Sequence, residues 1–190
     1  MDIVPLFCEI DDFCQEFEPW MKAQMLTVRQ RQRQPKMYLS EVMTILVLFH
    51  LLGYRNFKQF YLEYVCVHLH WAFPHLVSYN RFVEYQRDAL LPLCAYLKTR
   101  MGQCTGISFL DSTALAVCHN RRIATHRVFE EWAMRGKTSV DWFYGFKLHL
   151  VVNDEGELLA CCLTPGNVDD RVPVPELVEG LWGKLFADRG

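Results

Sequence analysis

Ile107-Ser108-Phe109-Leu110-Asp111-Ser112-Thr113 is the stretch on which the fold turns. Apolar residues continue to Val117, broken only around Asp111-Ser112-Thr113. The run is too short for a confident helix and reads as a buried strand. A carboxylate inside such a strand costs free energy unless it is paired or holds a cation. Taken alone, Asp111 is better explained as a strand-end residue bonded to the backbone of Ser112 and Thr113.

Further along the chain the pattern repeats the theme. Phe143 to Val152 and Leu158 to Leu163 read as two strands joined by Asn153-Asp154-Glu155-Gly156, a hairpin-turn sequence. Pro173 to Leu181 reads as a helix ended by Gly180 and Gly183, and Lys184 to Ala187 as a short strand that delivers Asp188. Two carboxylates thus leave strand ends of one sheet, where strands lie about 4.8 Å apart, and they can converge on a hard cation. Phosphodiester chemistry uses that convergence: paired Mg²⁺ ions about 3.5–4 Å apart stabilise the attacking and leaving oxygens. Two aspartates supply only part of such a cage, and a third acidic ligand is normally needed.

Before residue 105 the signals are helical. Ile3, Leu6, Phe7, Ile10, Phe13, Cys14 and Phe17 recur at three- and four-residue steps, so a first helix is expected to run to about Gln30. Arg29, Arg31, Arg33 and Lys36, with Gln30, Gln32 and Gln34 interleaved before Pro35, read as a basic linker. Ser40 is the expected N-cap of a helix from Glu41 to Leu52, and Gly53-Tyr54-Arg55 stops it. Asn56 caps a third helix to about His68, which makes residues 41–68 a helix-turn-helix candidate. A fourth begins at Ser78 or Asn80, with a kink expected at Pro92.

Composition limits the function classes. A chain of 190 residues with 51% hydrophobic residues can build a packed core. Its net charge of −2 gives no global basic field, so any nucleic-acid surface is local. Val42 to Leu52, interrupted by Thr44 and His50, is too short to span a bilayer. The eight cysteines contain no Cys-x-x-Cys pair, and Met1-Asp2 opens no signal-type segment. Reduced, buried thiols in a cytoplasmic protein without a membrane partner are expected. His68, His70 and His75 have loose metal spacing, but Trp71, Phe73 and Pro74 around them favour packing.

The local basic field lies between His119 and His149. Arg121, Arg122, Arg127, Arg135, Lys137 and Lys147 outnumber Glu130, Glu131 and Asp141, and Phe129, Trp132, Trp142, Phe143 and Tyr144 are interleaved with them. Cations with aromatics suit phosphate contact and base stacking. A solvated loop with a few core aromatics is the alternative for each residue. Lys147 and His149, alternating on a strand, either face the active site or line a solvated strand face.

Six motifs in order resemble the DDE transposases of bacterial insertion sequences. They are Phe109-Leu110-Asp111-Ser112-Thr113, Val117 to Ile123, Arg135-Gly136-Lys137-Thr138-Ser139, Trp142 to His149, Leu163 to Arg171 and Lys184 to Gly190. The resemblance implies an α/β fold: an incomplete RNase-H-like mixed sheet over 105–190, as a catalytic domain, preceded by a mainly helical region over 1–104. It implies that Asp111 and Asp188 are the first two carboxylates of an Asp-Asp-Glu triad that binds two Mg²⁺ ions. The activity implied is cutting transposon-end phosphodiester bonds and joining the freed 3′-hydroxyl to target DNA. The partners implied are transposon-end and target DNA, and a second copy or a full-length transposase. The triad's Glu is expected on a helix well beyond Asp188, whereas Glu176 and Glu179 both precede it. The expectation is therefore a truncated or frameshifted fragment, inactive by itself. A non-catalytic DNA-binding or transposase-interacting chain is the alternative, and an unrelated RNase-H-like nuclease a weaker one.

Overall fold

A computed structural model of the chain describes residues 2–24, 36–138 and 141–187. They form two compact units that divide between Arg100 and Met101.

The first unit is helical. α1 spans Val4–Gln24 and α2 spans Leu39–Leu51. The expected end of the first helix near Gln30, and the basic run from Arg29 to Arg33, lie outside the described residues. Ser40 is not the cap of α2. It is buried inside the first turn, and the Glu41 carboxylate instead accepts from the Tyr38 backbone N–H at 2.7 Å. α3 combines α-helical Phe57–Gln59, π-helical Phe60–Val65 and α-helical Cys66–His68. As expected, Asn56 caps it, its Oδ1 accepting from the Gln59 N–H. α4 runs as one element over Tyr79–Thr99 through Pro92.

These helices close around large side chains. Ile10, Met43, Ile45, Phe60, Tyr61 and Phe82 are fully buried, and the Tyr61 and Phe82 rings lie 4.6 Å apart. The one polar tip in this group is satisfied, because the Tyr61 hydroxyl donates to the Val77 carbonyl at 2.6 Å.

The second unit is built on a five-stranded mixed sheet: β1 Ile107–Cys118, β2 Met134–Lys137, β3 Trp142–Asn153, β4 Leu158–Pro165 and β5 Lys184–Ala187. Central β3 pairs antiparallel with β1 along one edge. Its other edge is shared by β2, over 142–145, and β4, over 146–152. β5 adds parallel to β1, so antiparallel and parallel pairing meet there. The β3–β4 hairpin turns as read from the sequence. Asn153 Oδ1 accepts from the N–H groups of Glu155 and Glu157, and Gly156 takes a φ of +83°.

Three expectations need correction. β2 was not foreseen, because Met-Arg-Gly-Lys carries no apolar alternation. The helix expected over 173–181 is only the four-residue α5, Val174–Leu177, after which the chain turns toward Gly180 at φ +79°. β1 is not a buried strand: its burial alternates, and Ile107, Phe109 and Leu115 are exposed.

Gly136 in β2 and Gly166 after β4 lie where two backbones touch. A Cβ at Gly136 would run into the Gly166 carbonyl, and one at Gly166 would come within 2.7 Å of the Met134 carbonyl. Gly166 N–H donates to the Gly145 carbonyl at 2.9 Å, stitching the loop after β4 under β3. Two glycines of the sequence motifs are thus explained by close approach of main chain.

Candidate active site and nucleic-acid interface

Strand pairing assigns each side chain of the second unit to a face, because residues opposite one another in a ladder point the same way. Asp111 lies opposite Leu150, so it shares a face with Phe109, Thr113 and Leu115 and with Phe146, Leu148 and Val152 of β3. It is exposed, and its Oδ1 accepts from the Ser112 N–H at 2.7 Å. That backbone bond is the turn-type interaction read from the sequence, and it leaves the second carboxylate oxygen free to bind something else. Around Asp111 the face is apolar, with Phe109 stacked on Phe186 of β5 at 5.6 Å.

Asp188 lies outside the described residues. The described parallel ladder ends with Ala187 beside Leu110. In sequence, those are the residues immediately before Asp188 and Asp111.

The opposite face is polar and closed. His149 lies across from Ser112 and Lys147 across from Ala114, so both point away from Asp111, contrary to an active-site orientation. The Lys147 ammonium, 13% exposed, lies 2.9 Å from an Asp170 carboxylate oxygen and donates to the Val168 carbonyl at 2.9 Å. The imidazole of His149 is fully buried against Thr164 Oγ1 at 2.9 Å, with its Nδ1 unpartnered. Burial holds the His149 pKa below the usual histidine value; Asp170 pulls it back up, and Lys147 pushes it further down. Asp169 binds the Arg171 backbone and guanidinium, which holds its carboxyl well below the usual carboxylate range. Asp169 and Asp170 therefore build the loop after β4.

Burial, and second to it the charge of Glu176, raises the pKa of the Cys162 thiol, which lies across from His149. Among the described residues no group of three His, Cys, Asp or Glu side chains could hold a metal ion, which includes the histidines at 68, 70 and 75.

The basic segment divides in two. Arg121, Arg122, Arg127 and Arg135 are exposed and have no acidic partner among the described residues. Lys137 lies 5.9 Å over the Trp142 ring, and the ladder puts Arg135 opposite Tyr144 and Lys137 opposite Trp142, on the Asp111 side of β3. Of the aromatics, Phe143 and Tyr144 are core, whereas Phe129, Trp132 and Trp142 are exposed. The expectation of buried thiols also needs correction: all eight cysteines are free, but Cys8 and Cys94 are exposed, and only Cys14 is fully inside, where burial raises its pKa to about 12. No described helix is long and apolar enough to cross a membrane.

A mixed sheet with an aspartate on the strand that pairs in parallel with β5, preceded in sequence by a helical region, is the α/β arrangement of an incomplete RNase-H-like fold. Residues 101–190 match the family model of the transposase DDE domain, and these are the residues of the second unit. The second unit belongs to the DDE transposases. No curated protein and no solved structure matches the chain.

Proposed function

We propose that the chain serves DNA transposition by binding DNA along the open face of its sheet and supplying Asp111 and Asp188 as two ligands for Mg²⁺. The observation that carries this reading is the placement of Asp111: an exposed carboxylate with one free oxygen, on the strand that pairs in parallel with β5. Hard oxygen donors of this kind are what Mg²⁺ takes. Bound there, the metal would stabilise charge on the oxygens of a phosphodiester. The chain's own part is to hold the carboxylates on a rigid strand and to bring DNA phosphate to them.

Phosphate contact falls to Arg121, Arg122, Arg127, Arg135 and Lys137. Lys147 belongs to the loop on the other face, and Lys147→Met is expected to leave DNA affinity unchanged. A second reading is a DNA-binding chain without cleavage activity that works beside a complete transposase. The exposed arginines of the 121–135 segment, without acidic partners among the described residues, favour it, since they serve DNA contact whether or not a metal is held.

DNA binding by residues 1–190, followed by fluorescence anisotropy on a mixed-sequence duplex, tests the reading. Five phosphate contacts give a salt slope near −4.5, a loss of roughly five-hundredfold in affinity between 50 and 200 mM salt. Each of the four arginines changed to Ala should reduce that slope by about 1. Binding insensitive to salt contradicts the proposal. In Mg²⁺ the same polypeptide is expected to cut the duplex little or not at all, and strong cutting abolished by Asp111→Asn would overturn the non-cleaving reading.

A further inference from the structure

The turn from Arg127 to Ala133 is built unlike an ordinary solvated loop. Phe129 holds a φ of +62°, unusual for a bulky residue. The turn is fixed there because the N–H groups of Trp132 and Ala133 both donate to the Phe129 carbonyl, at 3.0 and 2.7 Å. Ala133 is buried beneath it, and the Phe129 ring meets Phe146 edge-on at 5.5 Å. Phe146 points to the Asp111 face, so the turn lies over that face. Leu115, opposite Phe146, is four residues along β1 from Asp111, about 13 Å at strand rise.

On this rigid base Trp132 stands 69% exposed, with no partner for its indole N–H among the described residues. It lines a recess of about 240 Å³ with Arg127, Phe129, Glu130 and Glu131. That is smaller than a pocket for a drug-sized ligand, about 300–1,000 Å³, and suits one planar group. The two glutamates repel phosphate but accept hydrogen bonds from an exocyclic amine. Charge therefore separates the roles: backbone phosphate on the surrounding arginines, a base in the recess.

Resting on the DNA-contact reading above, we infer that the Arg127–Ala133 turn is a binding site for one unpaired DNA base carrying an amino group, stacked on Trp132 and bonded to Glu130 or Glu131. A base inside a duplex cannot reach such a recess, so the ligand is a frayed or single-stranded end.

The test is anisotropy with residues 1–190 on a blunt duplex and on the same duplex with a three-nucleotide overhang of dC or dT. The dC overhang should tighten binding about five- to a hundredfold over blunt DNA, the range of one base–aromatic stack, and dT less. Trp132→Ala should remove the gain and leave blunt-duplex affinity as it was, while Trp132→Phe keeps most of it. Ala at both Glu130 and Glu131 should bring dC and dT together. 2-Aminopurine as the first unpaired base should be quenched by the parent chain and not by Trp132→Ala. Equal affinity for blunt and overhanging DNA, or equal loss on both in Trp132→Ala, overturns this inference and leaves the DNA reading standing. Absence of binding to any of the duplexes overturns both.

Discussion

The helical unit and the sheet place the same kinds of side chain in opposite positions. In the first, Phe60, Tyr61, Phe73 and Phe82 are sealed inside; in the second, Phe109, Phe129, Trp132 and Phe186 are half-exposed or more. The first four hold their unit together, although Trp20, Tyr38 and Trp71 of the same unit are exposed. In the sheet unit Phe143 and Tyr144 are core, while Phe109 and Phe186 stack on the face that carries Asp111 and Phe129 lies against Phe146 of that face. Surface of that kind marks a site of interaction.

The largest expected effect sharpens this contrast. Phe82→Ala leaves a cavity in a closed core and should destabilise the helical unit by about 3–5 kcal/mol. Phe109→Ala, at a ring already 44% exposed, should cost the sheet unit less than about 1 kcal/mol. Denaturant unfolding of the two variants measures both, and comparable losses would show that the open face is packed in solution.

Next is the backbone crossing. Gly136→Ala puts a methyl group into the Gly166 carbonyl, which forces β2 and the loop after β4 apart at a cost of about 1–3 kcal/mol. Amide exchange in β2 should speed up while exchange in the helical unit stays the same. Unchanged β2 protection would mean that the loop shifts freely.

The smallest effect is on the closed face, where His149 is buried neutral. Its folded pKa lies below the unfolded value of about 6.5, so the unfolded state takes up the proton first. Stability is then complete above pH 6.5 and falls as the pH drops below it toward the folded value. Melting of the sheet unit between pH 7.5 and 5 should show this loss, and His149→Gln should shrink it. Identical pH profiles for the two chains would assign the loss to other groups.

Much of this was legible in the chain itself. The mainly apolar run from Ile107 to Val117 located β1, and Asn153-Asp154-Glu155-Gly156 located the β3–β4 hairpin, because both signals are local. β2 was hidden, since Met134-Arg135-Gly136-Lys137 has no apolar alternation, and the close approach of Gly136 to Gly166 is visible only in three dimensions. The burial of β1 was misjudged for a related reason. Apolar side chains identify a strand but do not say whether another element lies over them. Lys147 was expected to contact DNA and, with His149, to face the active site or else line a solvated strand face; the ladder register and the burial of both send them to the closed side away from Asp111. Trp132 appeared as one aromatic among five, and its isolation from the buried Phe143 and Tyr144 is visible only in three dimensions.

The central claim is that Asp111 is a metal ligand on an open DNA-facing sheet. Mn²⁺, which takes the same oxygen donors as Mg²⁺, reports on it directly through its electron paramagnetic resonance spectrum. Titrated into residues 1–190, Mn²⁺ should bind measurably more tightly to the parent chain than to Asp111→Asn, with Lys147→Met indistinguishable from the parent. Equal Mn²⁺ binding by the parent and Asp111→Asn would contradict the account.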